Sequence, residues 1–279
     1  MNTQCYKSGY YAGTHGDNLY YQEWLPKEPL ALMILLHGAG EHSGFYTDIG
    51  EECLHRQIGL VAPDMRGFGK SDGTRGHINH FREYLDDLAT LNSRLLKQFP
   101  AVPLFLLGHS FGGLIAIRYV QEYPLLVKGV ILSSPALGIR IPLPYPLKKL
   151  AKLLSWVTPT LTVDPFKWNW LKTILLSNPS DDKRDPLFTT QYTPRWFNEF
   201  LHNGAHAISE AAKCASPTLC LCGQNDPLTH LGMVENFFQS IANNDKTYIV
   251  FPEGRHRPLY ESCRDEAVNN IFQWIAARL

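Results

Sequence analysis

Short apolar runs alternate with amphipathic helical segments along most of this chain, and this alternation constrains the fold more than any other feature. A strand that is covered on both faces is apolar throughout, and such runs lie at 30–36, 58–62, 103–107, 130–133, 218–222 and 247–251. Residues 81–95 carry an apolar stripe at helical spacing, and 110–122 and 261–279 also have helical patterns. Strands that alternate with helices predict an α/β fold, with a mostly parallel sheet flanked by helices.

The first 25 residues follow a different pattern. Tyrosine-rich runs lie on either side of the tetrapeptide HGDN at 15–18. Gly, Asn and Asp favour tight turns between paired strands, so this segment predicts an antiparallel hairpin.

The alternation stops near Gly138 and resumes near Pro217, which indicates an insertion. Prolines and tryptophans are dense between these points. We therefore predict a core of residues 1–138 and 211–279 and an inserted helical cap at 139–210. Ligands of open α/β sheets bind beyond the carboxyl ends of the strands, where such a cap would lie.

One segment of the predicted cap is both basic and amphipathic. Residues 140–176 contain six basic side chains and one acidic side chain, Asp164. A helix there would place Lys148, Lys149 and Lys152 on one face. Its other face would carry Leu147, Leu150, Leu153, Leu154 and Val157. This pattern fits a cap helix packed on its own domain, and it also fits a cap that touches lipid surfaces.

Composition excludes several classes of protein. Hydrophobic residues make up 44% and charged residues 19%, so the chain can bury a core. Its 26 basic and 26 acidic residues argue against a nucleic-acid binder that relies on a basic surface. The segment MNTQCYKSGYY at the start has no signal-peptide pattern, and no apolar run is long enough for a membrane span. The six cysteines fit no CxxC or zinc spacing, so we predict reduced thiols in a cytoplasmic protein of unspecified oligomeric state.

The pentapeptide GHSFG at 108–112 is the clearest chemical signal. It follows an apolar strand and opens a helical pattern, the context of a nucleophile elbow. The small residues two positions before and after Ser110 prevent collisions in the tight turn. Ser110 is therefore the predicted nucleophile.

A serine hydroxyl needs a neighbouring base, and in this architecture an acid and then a histidine follow it along the chain. The loop GQNDP after the run at 218–222 offers Asp226, and the loop PEGRH after the run at 247–251 offers His256. The rival acids Asp164, Asp181, Asp182 and Asp185 fall in the predicted cap, and Asp245 precedes its strand. We predict Asp226 as the orienting acid and His256 as the base.

Acyl transfer also needs backbone N–H groups where negative charge develops. The residue after the nucleophile, Phe111, supplies one such group. The small-residue loop HGAG at 37–40 follows the first apolar run, and Ala39 is the predicted second donor. His37 is interpreted as fixing this loop by hydrogen bonding and not as a base.

These segments together resemble the α/β-hydrolase superfamily, and within it the monoacylglycerol lipase/lysophospholipase group. HGAGEHSG at 37–44 is identical to the first motif of that group. GHSFGG at 108–113 is similar to its elbow, with Phe111 where methionine is common. DMRGFGKS at 64–71 resembles its D-x-R-G-x-G-x-S loop, with Phe68 where histidine is usual. Glu261 follows His256 by five residues, as in the group.

The resemblance implies an α/β-hydrolase fold and a lipid-like acyl ester as substrate, a monoacylglycerol or a lysophospholipid. The triad implies attack by Ser110, an acyl-enzyme and hydrolysis, with no metal and no organic cofactor. A short-chain ester or thioester, or transfer of the acyl group to an alcohol, remains open. A binding protein without catalysis is disfavoured because every element of the machinery is present. The serine at the elbow excludes the aspartate-nucleophile branch of the superfamily.

Two further sets of residues surround the predicted site. Arg255 and Arg257 flank His256, where a guanidinium near the ring would oppose its protonation, unless both point outward. Phe166, Trp156, Trp168, Trp170 and the cap leucines can line an acyl channel or form the core of the cap.

Overall fold

Eight strands form one sheet in the computed structural model, which describes residues 5–124, 126–140, 145–167 and 185–279. The strands are β1 Tyr6–Ala12, β2 Asn18–Trp24, β3 Ala31–Leu36, β4 Ile58–Pro63, β5 Leu104–His109, β6 Gly129–Ser133, β7 Thr218–Gly223 and β8 Lys246–Phe251. Their order across the sheet is β1-β2-β4-β3-β5-β6-β7-β8.

Strands β3 to β8 are mutually parallel, which confirms the predicted mostly parallel sheet. The predicted hairpin is also present: β1 and β2 pair antiparallel from Tyr6↔Trp24 to Ala12↔Asn18. Strand β2 then pairs antiparallel with β4. The hairpin turns through a short 3-10 segment in which His15 has a φ of 64°.

Seven α-helices lie within the described residues. They are α1 Thr47–His55, α2 Arg82–Gln98, α3 Phe111–Glu122, α4 Tyr145–Val157, α5 Pro194–Ser209, α6 Leu231–Gln239 and α7 Arg264–Ala276. Helix α3 begins one residue later than predicted because Ser110, at a φ of 51°, is not helical. Helix α7 is shorter than the predicted 261–279, since residues 261–263 form a turn before it.

The two faces of the sheet carry separate hydrophobic cores. Because side chains alternate along a strand, Leu32, Ile34 and Leu36 of β3 pack with α2 and α3. The intervening side chains of β3 pack with α1 and α7 on the opposite face. Helix α2 contributes its predicted stripe, in which Tyr84, Leu85, Leu88, Leu91 and Leu95 are all buried. Coverage of both faces explains why the central strands are apolar throughout.

The chain between β6 and β7 contains α4 and α5. Helix α4 contacts α5, and α5 contacts α3 of the core. Isolated antiparallel bridges join Val163 to Tyr192 and Ile139 to Thr229. Both helices fall within the predicted cap at 139–210, although the division into core and cap stays a prediction.

Helix α4 exposes most of its apolar face. Leu154 is half-buried, while Leu150, Leu153 and Val157 are exposed. Trp156 is 79% exposed, so it is not a core residue of the cap. The side chains of Leu147, Lys148 and Phe166, and the residues Trp168, Trp170, Lys172, Asp181 and Asp182, lie outside the described residues.

In the described part of the chain, no helix has both the length and the apolar character needed to cross a bilayer. All six cysteines are free thiols, as predicted. Cys220 and Cys222 are buried in β7, and burial raises the pKa of the Cys220 thiol well above its ordinary value. These two thiols therefore serve packing.

Candidate active site

Ser110 occupies a tight turn between β5 and α3. Its φ of 51° is in the left-handed region, which a non-glycine residue adopts only at an energetic cost. A Cβ at Gly108 would collide with the carbonyl of Gly112, and a Cβ at Gly112 would collide with the carbonyl of Leu36. The small residues of the motif are thus required by close backbone approach, and the turn presents Ser110 at the carboxyl edge of the sheet.

The loops after β5, β7 and β8 bring the three predicted polar residues together. Nε2 of His256 lies 2.9 Å from Oγ of Ser110, and Nδ1 of His256 lies 2.8 Å from Oδ2 of Asp226. His256 is 4% exposed and Asp226 is 2% exposed. Since the carboxylate accepts from Nδ1–H, Nε2 is left as the acceptor for the serine hydroxyl. The arrangement can therefore remove a proton from Ser110.

Asp226 is held as an anion. Burial alone would raise its pKa, but the charge of His256 and hydrogen bonds from His256 and Thr229 lower the pKa to about 2. Oδ1 accepts from the amides of Leu228 (2.7 Å) and Thr229 (3.0 Å). Oδ2 accepts from the Thr229 hydroxyl as well as from His256.

Sequence reasoning missed Thr229 and Arg140 around this acid. The guanidinium of Arg140, at the start of the predicted cap, donates to the carbonyl of Asp226 over 2.5 Å. Thr229 was detectable in principle, because Asp favours a turn in which its carboxylate accepts hydrogen bonds from the backbone that follows it. Arg140 had no sequence signal, since its contact depends on the tertiary fold.

The loop at 37–40 lies next to the elbow because β3 and β5 are neighbours, with Leu36 opposite Gly108. A Cβ at Gly38 would lie 3.1 Å from the ring of His109, which shows how closely the two loops approach. The Phe111 amide opens α3, where a helix leaves its first N–H groups without internal partners. Ala39 follows Gly38 in the adjoining loop and is half-buried.

His37 fixes this loop, as predicted. It is fully buried, and its Nε2 accepts from the amide of Met65 over 2.9 Å. Its Nδ1 therefore carries the proton and donates to the carbonyl of Gly38 over 2.8 Å. Both ring nitrogens are engaged in holding backbone.

The DMRGFGKS loop is built around Asp64. Its carboxylate accepts from the amides of Ser43 (2.6 Å) and Lys70 (2.7 Å). The Ser71 hydroxyl donates to the Asp64 carbonyl and accepts from the amide of Tyr20. The motif thus holds the HGAGEHSG segment through the amide of Ser43. Among the hydrogen bonds that the structure describes, none joins the motif to Ser110.

The two arginines beside His256 take different directions. Arg255 is exposed, whereas Arg257 turns inward and its Nη2 lies 3.0 Å from Oε1 of Glu41. The outward orientation is therefore wrong for Arg257. Glu261 accepts from the amides of Arg255 (2.5 Å) and Arg257 (3.1 Å), so one carboxylate clasps the backbone on both sides of His256. These two hydrogen bonds give a structural role to the acid five residues after His256.

Glu41 is a buried carboxylate beside the site whose role sequence reasoning missed. It is 2% exposed and accepts from the Gly38 amide (2.9 Å) and the Tyr46 hydroxyl (2.7 Å). Burial would raise its pKa, but Arg257 first, and then His109 and the two hydrogen bonds, lower the pKa to about 2. Burial lowers the pKa of His109 to about 4, so this histidine is neutral at neutral pH.

Aromatic side chains from α5 cover the elbow helix. Trp196 is buried, with its ring centroid 4.8 Å from that of Phe111 and 5.7 Å from that of Phe200. The ring centroid of Tyr192 lies 4.7 Å from that of Trp196. Trp156, for which channel lining and cap core were both left open, is exposed and is not part of this cluster.

The rival acids have other partners. Asp185 lies 2.8 Å from Nε2 of His42, and Asp245 pairs with Arg278. Asp164 accepts from the hydroxyl of Thr190. Within the described residues, no group of three or more His, Cys, Asp or Glu side chains is arranged to hold a metal ion.

Comparison with known proteins gives a consistent assignment. The family described as serine aminopeptidase, S33 (Hydrolase_4) matches residues 27–263. A Bacillus subtilis protein named phospholipase YtpA is 31% identical over 251 residues, which cover 88% of this chain and 94% of that protein. The human protein named monoglyceride lipase is 30% identical over 273 residues, covering 94% of this chain and 88% of that protein.

A solved structure agrees with the sequence relatives. The crystal structure of a monoacylglycerol lipase from Paleococcus ferrophilus superposes with a TM-score of 0.81 at 30% identity, over 94% of this chain and 99% of that one. The matched family region includes the elbow, the loops of Asp226 and His256 and the HGAG loop. The chain therefore belongs to the Hydrolase_4 family, and its fold is that of the α/β-hydrolases.

Proposed function

We propose that this chain is a serine carboxylester hydrolase that acts through an acyl-enzyme on monoacylglycerol or lysophospholipid-type substrates. The observation that carries the proposal is the continuous hydrogen-bonded chain from Ser110 through His256 to Asp226. A nucleophile, a base and an orienting acid in that order are the arrangement required for acyl transfer by a serine.

The proposed reaction proceeds in two halves. His256 removes the Ser110 proton as Oγ attacks the ester carbonyl, and the Ala39 and Phe111 amides stabilise the oxyanion. His256 then returns the proton to the departing alcohol, and the acyl group stays on Ser110. Water, deprotonated by His256, releases the acid and restores the serine.

The lipid-like substrate is supported by the relatives, which are named for lipases and a phospholipase. The buried rings of Phe111, Trp196 and Phe200 pack α5 against the elbow helix, so they hold this part of the chain next to Ser110. A short-chain ester or thioester remains the alternative substrate. Transfer of the acyl group to an alcohol uses the same triad and remains the alternative in the second half-reaction.

Peripheral membrane contact through the cap is part of the proposal. Leu150, Leu153, Trp156 and Val157 of α4 are 48%, 55%, 79% and 58% exposed. Lys149 and Lys152 are exposed on the same helix. Exposed apolar side chains with flanking lysines favour binding in the interface of an anionic bilayer. We infer that α4 rests on the membrane from which the substrate is drawn.

The substrate assignment is tested by fatty-acid release from a monoacylglycerol and from a lysophosphatidylcholine of the same chain length, with Ser110→Ala as the blank. Turnover of either supports a lipid hydrolase, and the preferred substrate identifies the headgroup. Turnover of neither, with short-chain esters cleaved, contradicts the lipid assignment. A competing alcohol added to the assay reports acyl transfer as a new ester product.

A further inference from the structure

We propose that Glu41 is a positioning residue that, with Arg257, ties the oxyanion loop to the loop of His256. This inference rests on the proposed function of the Ser110 site. The two residues lie far apart in sequence, and their carboxylate and guanidinium meet at 3.0 Å. Glu41 is 2% exposed and the Arg257 side chain 13% exposed, so the pair is shielded from solvent.

Three contacts of Glu41 each fall one residue away from a group in the proposed machinery. Its Oε2 accepts from the amide of Gly38, which precedes the donor Ala39. Its Oε1 pairs with Arg257, which follows His256. The ring of His109, which precedes Ser110, lies with Nε2 3.9 Å from Oε1. A shift of this carboxylate would therefore reach the donor, the base and the nucleophile together.

The carboxylate itself is firmly anchored. The Tyr46 hydroxyl, at the end of the 3-10 segment before α1, donates to Oε2 over 2.7 Å. His109 and His256 also contact each other, with ring centroids 5.2 Å apart. Tyr46, His109 and Arg257 around Glu41 form what we call the Glu41 cluster. It connects the loop after β3, the elbow after β5 and the loop after β8; β3 and β5 are paired in the sheet, whereas β8 pairs with neither of them.

Charge explains why a buried carboxylate is tolerated there. An isolated buried anion is costly, and a guanidinium partner with satisfied hydrogen bonds removes much of that cost. A hydrophobic replacement of such a pair is often as stable, so stability alone does not require Glu41 and Arg257. The direct contacts to Gly38 and to the residue after His256 are what an apolar pair would not reproduce.

The test separates positioning from folding with three variants and a control. In Glu41→Gln the charge of Arg257 loses its carboxylate partner, and we expect the Tm to fall by about 10 °C. We expect kcat for a soluble p-nitrophenyl ester to fall about 100-fold, the cost of a misplacement of about 1 Å, with KM within twofold. Arg257→Met should give a similar loss of kcat.

The double variant Glu41→Gln/Arg257→Met is decisive. It also removes the buried guanidinium that has lost Glu41, so the Tm should recover by several degrees while kcat stays low. Recovery of kcat together with the Tm would overturn the proposal and make Glu41 purely structural. The matched control is Glu210→Gln, which removes one carboxylate partner of buried Arg118 away from the site and should lower the Tm without changing kcat.

The rate of labelling by a fluorophosphonate distinguishes this inference from the proposed function. An unlabelled wild-type protein would show that the Ser110 site is not a serine hydrolase. A labelled wild type with an equally fast Glu41→Gln variant would refute the positioning role alone. Slow labelling of Glu41→Gln and of the double variant is the expected result.

Discussion

Within the described part of the chain, the carboxylate of Asp226 accepts four hydrogen bonds, one of them from His256. Two are from the amides of Leu228 and Thr229, and the fourth is from the Thr229 hydroxyl, which shares Oδ2 with the imidazole. Because these donors favour the anion, the carboxylate orients His256 without itself taking a proton. At the scale of single residues, the proposed orientation of His256 therefore depends on donors outside the proposed triad.

Replacement of Thr229 by Val tests this dependence. Loss of the hydroxyl leaves Oδ2 with one donor fewer, so His256 should be oriented less strictly. We expect kcat to fall about 10-fold, in line with the loss of a hydrogen bond to a charged group. Steady-state kinetics on a soluble ester give the value, and Thr229→Ser, which keeps the hydroxyl, should stay close to wild type. Equal losses in both variants would contradict the role of the hydroxyl.

At the scale of elements, helix α4 packs one face on the protein and exposes another face to solvent. Ser155 is buried and Leu154 half-buried, while Leu153 and Trp156 face solvent. The sequence showed the amphipathic pattern correctly. It did not show which face packs on the protein, because an apolar face reads the same whether protein or lipid covers it.

Trp156→Ala should weaken vesicle binding without weakening the fold. The side chain is 79% exposed, so its removal costs little free energy of unfolding. We expect about 10-fold lower affinity for anionic vesicles in a sedimentation assay, with turnover of a soluble ester unchanged. Tyr10→Ala, at an exposed aromatic on β1, serves as the control and should bind vesicles like the wild type. Equal vesicle binding by Trp156→Ala would remove α4 from the proposed membrane contact.

The whole molecule follows the predicted architecture wherever a local pattern sets the structure. Continuous apolar runs became buried strands, and the elbow motif became a strained turn because its small residues permit close backbone approach. The loops after β7 and β8 were identified from chain order alone. The contacts of Glu41, Arg257 and Arg140 were not, since each joins segments that are distant in sequence and depends on how neighbouring loops pack.

Stability of the whole protein should depend on pH in the acidic range. The pKa values of Asp226 and Glu41 are both lowered to about 2 in the folded state. Between about pH 2 and the ordinary pKa values of these carboxyls, the unfolded chain therefore binds more protons than the folded chain. The stabilisation from the two anions is fully present above the ordinary pKa values and is lost as the pH falls toward about 2. Each group contributes on the order of 2 kcal/mol. Thermal unfolding from pH 6 to pH 3 measures the slope, and Asp226→Asn should flatten it; an identical slope would contradict the contribution of Asp226.

The most direct test of the central claim is the chemical identity of the nucleophile. A fluorophosphonate should label the wild-type protein at one residue, and mass spectrometry of the digest should map the adduct to Ser110. Ser110→Ala should not label, and His256→Ala, which removes the base, should label far more slowly. An adduct on a different residue, or a wild-type protein that does not react, would contradict the assignment of Ser110, His256 and Asp226 as a catalytic triad.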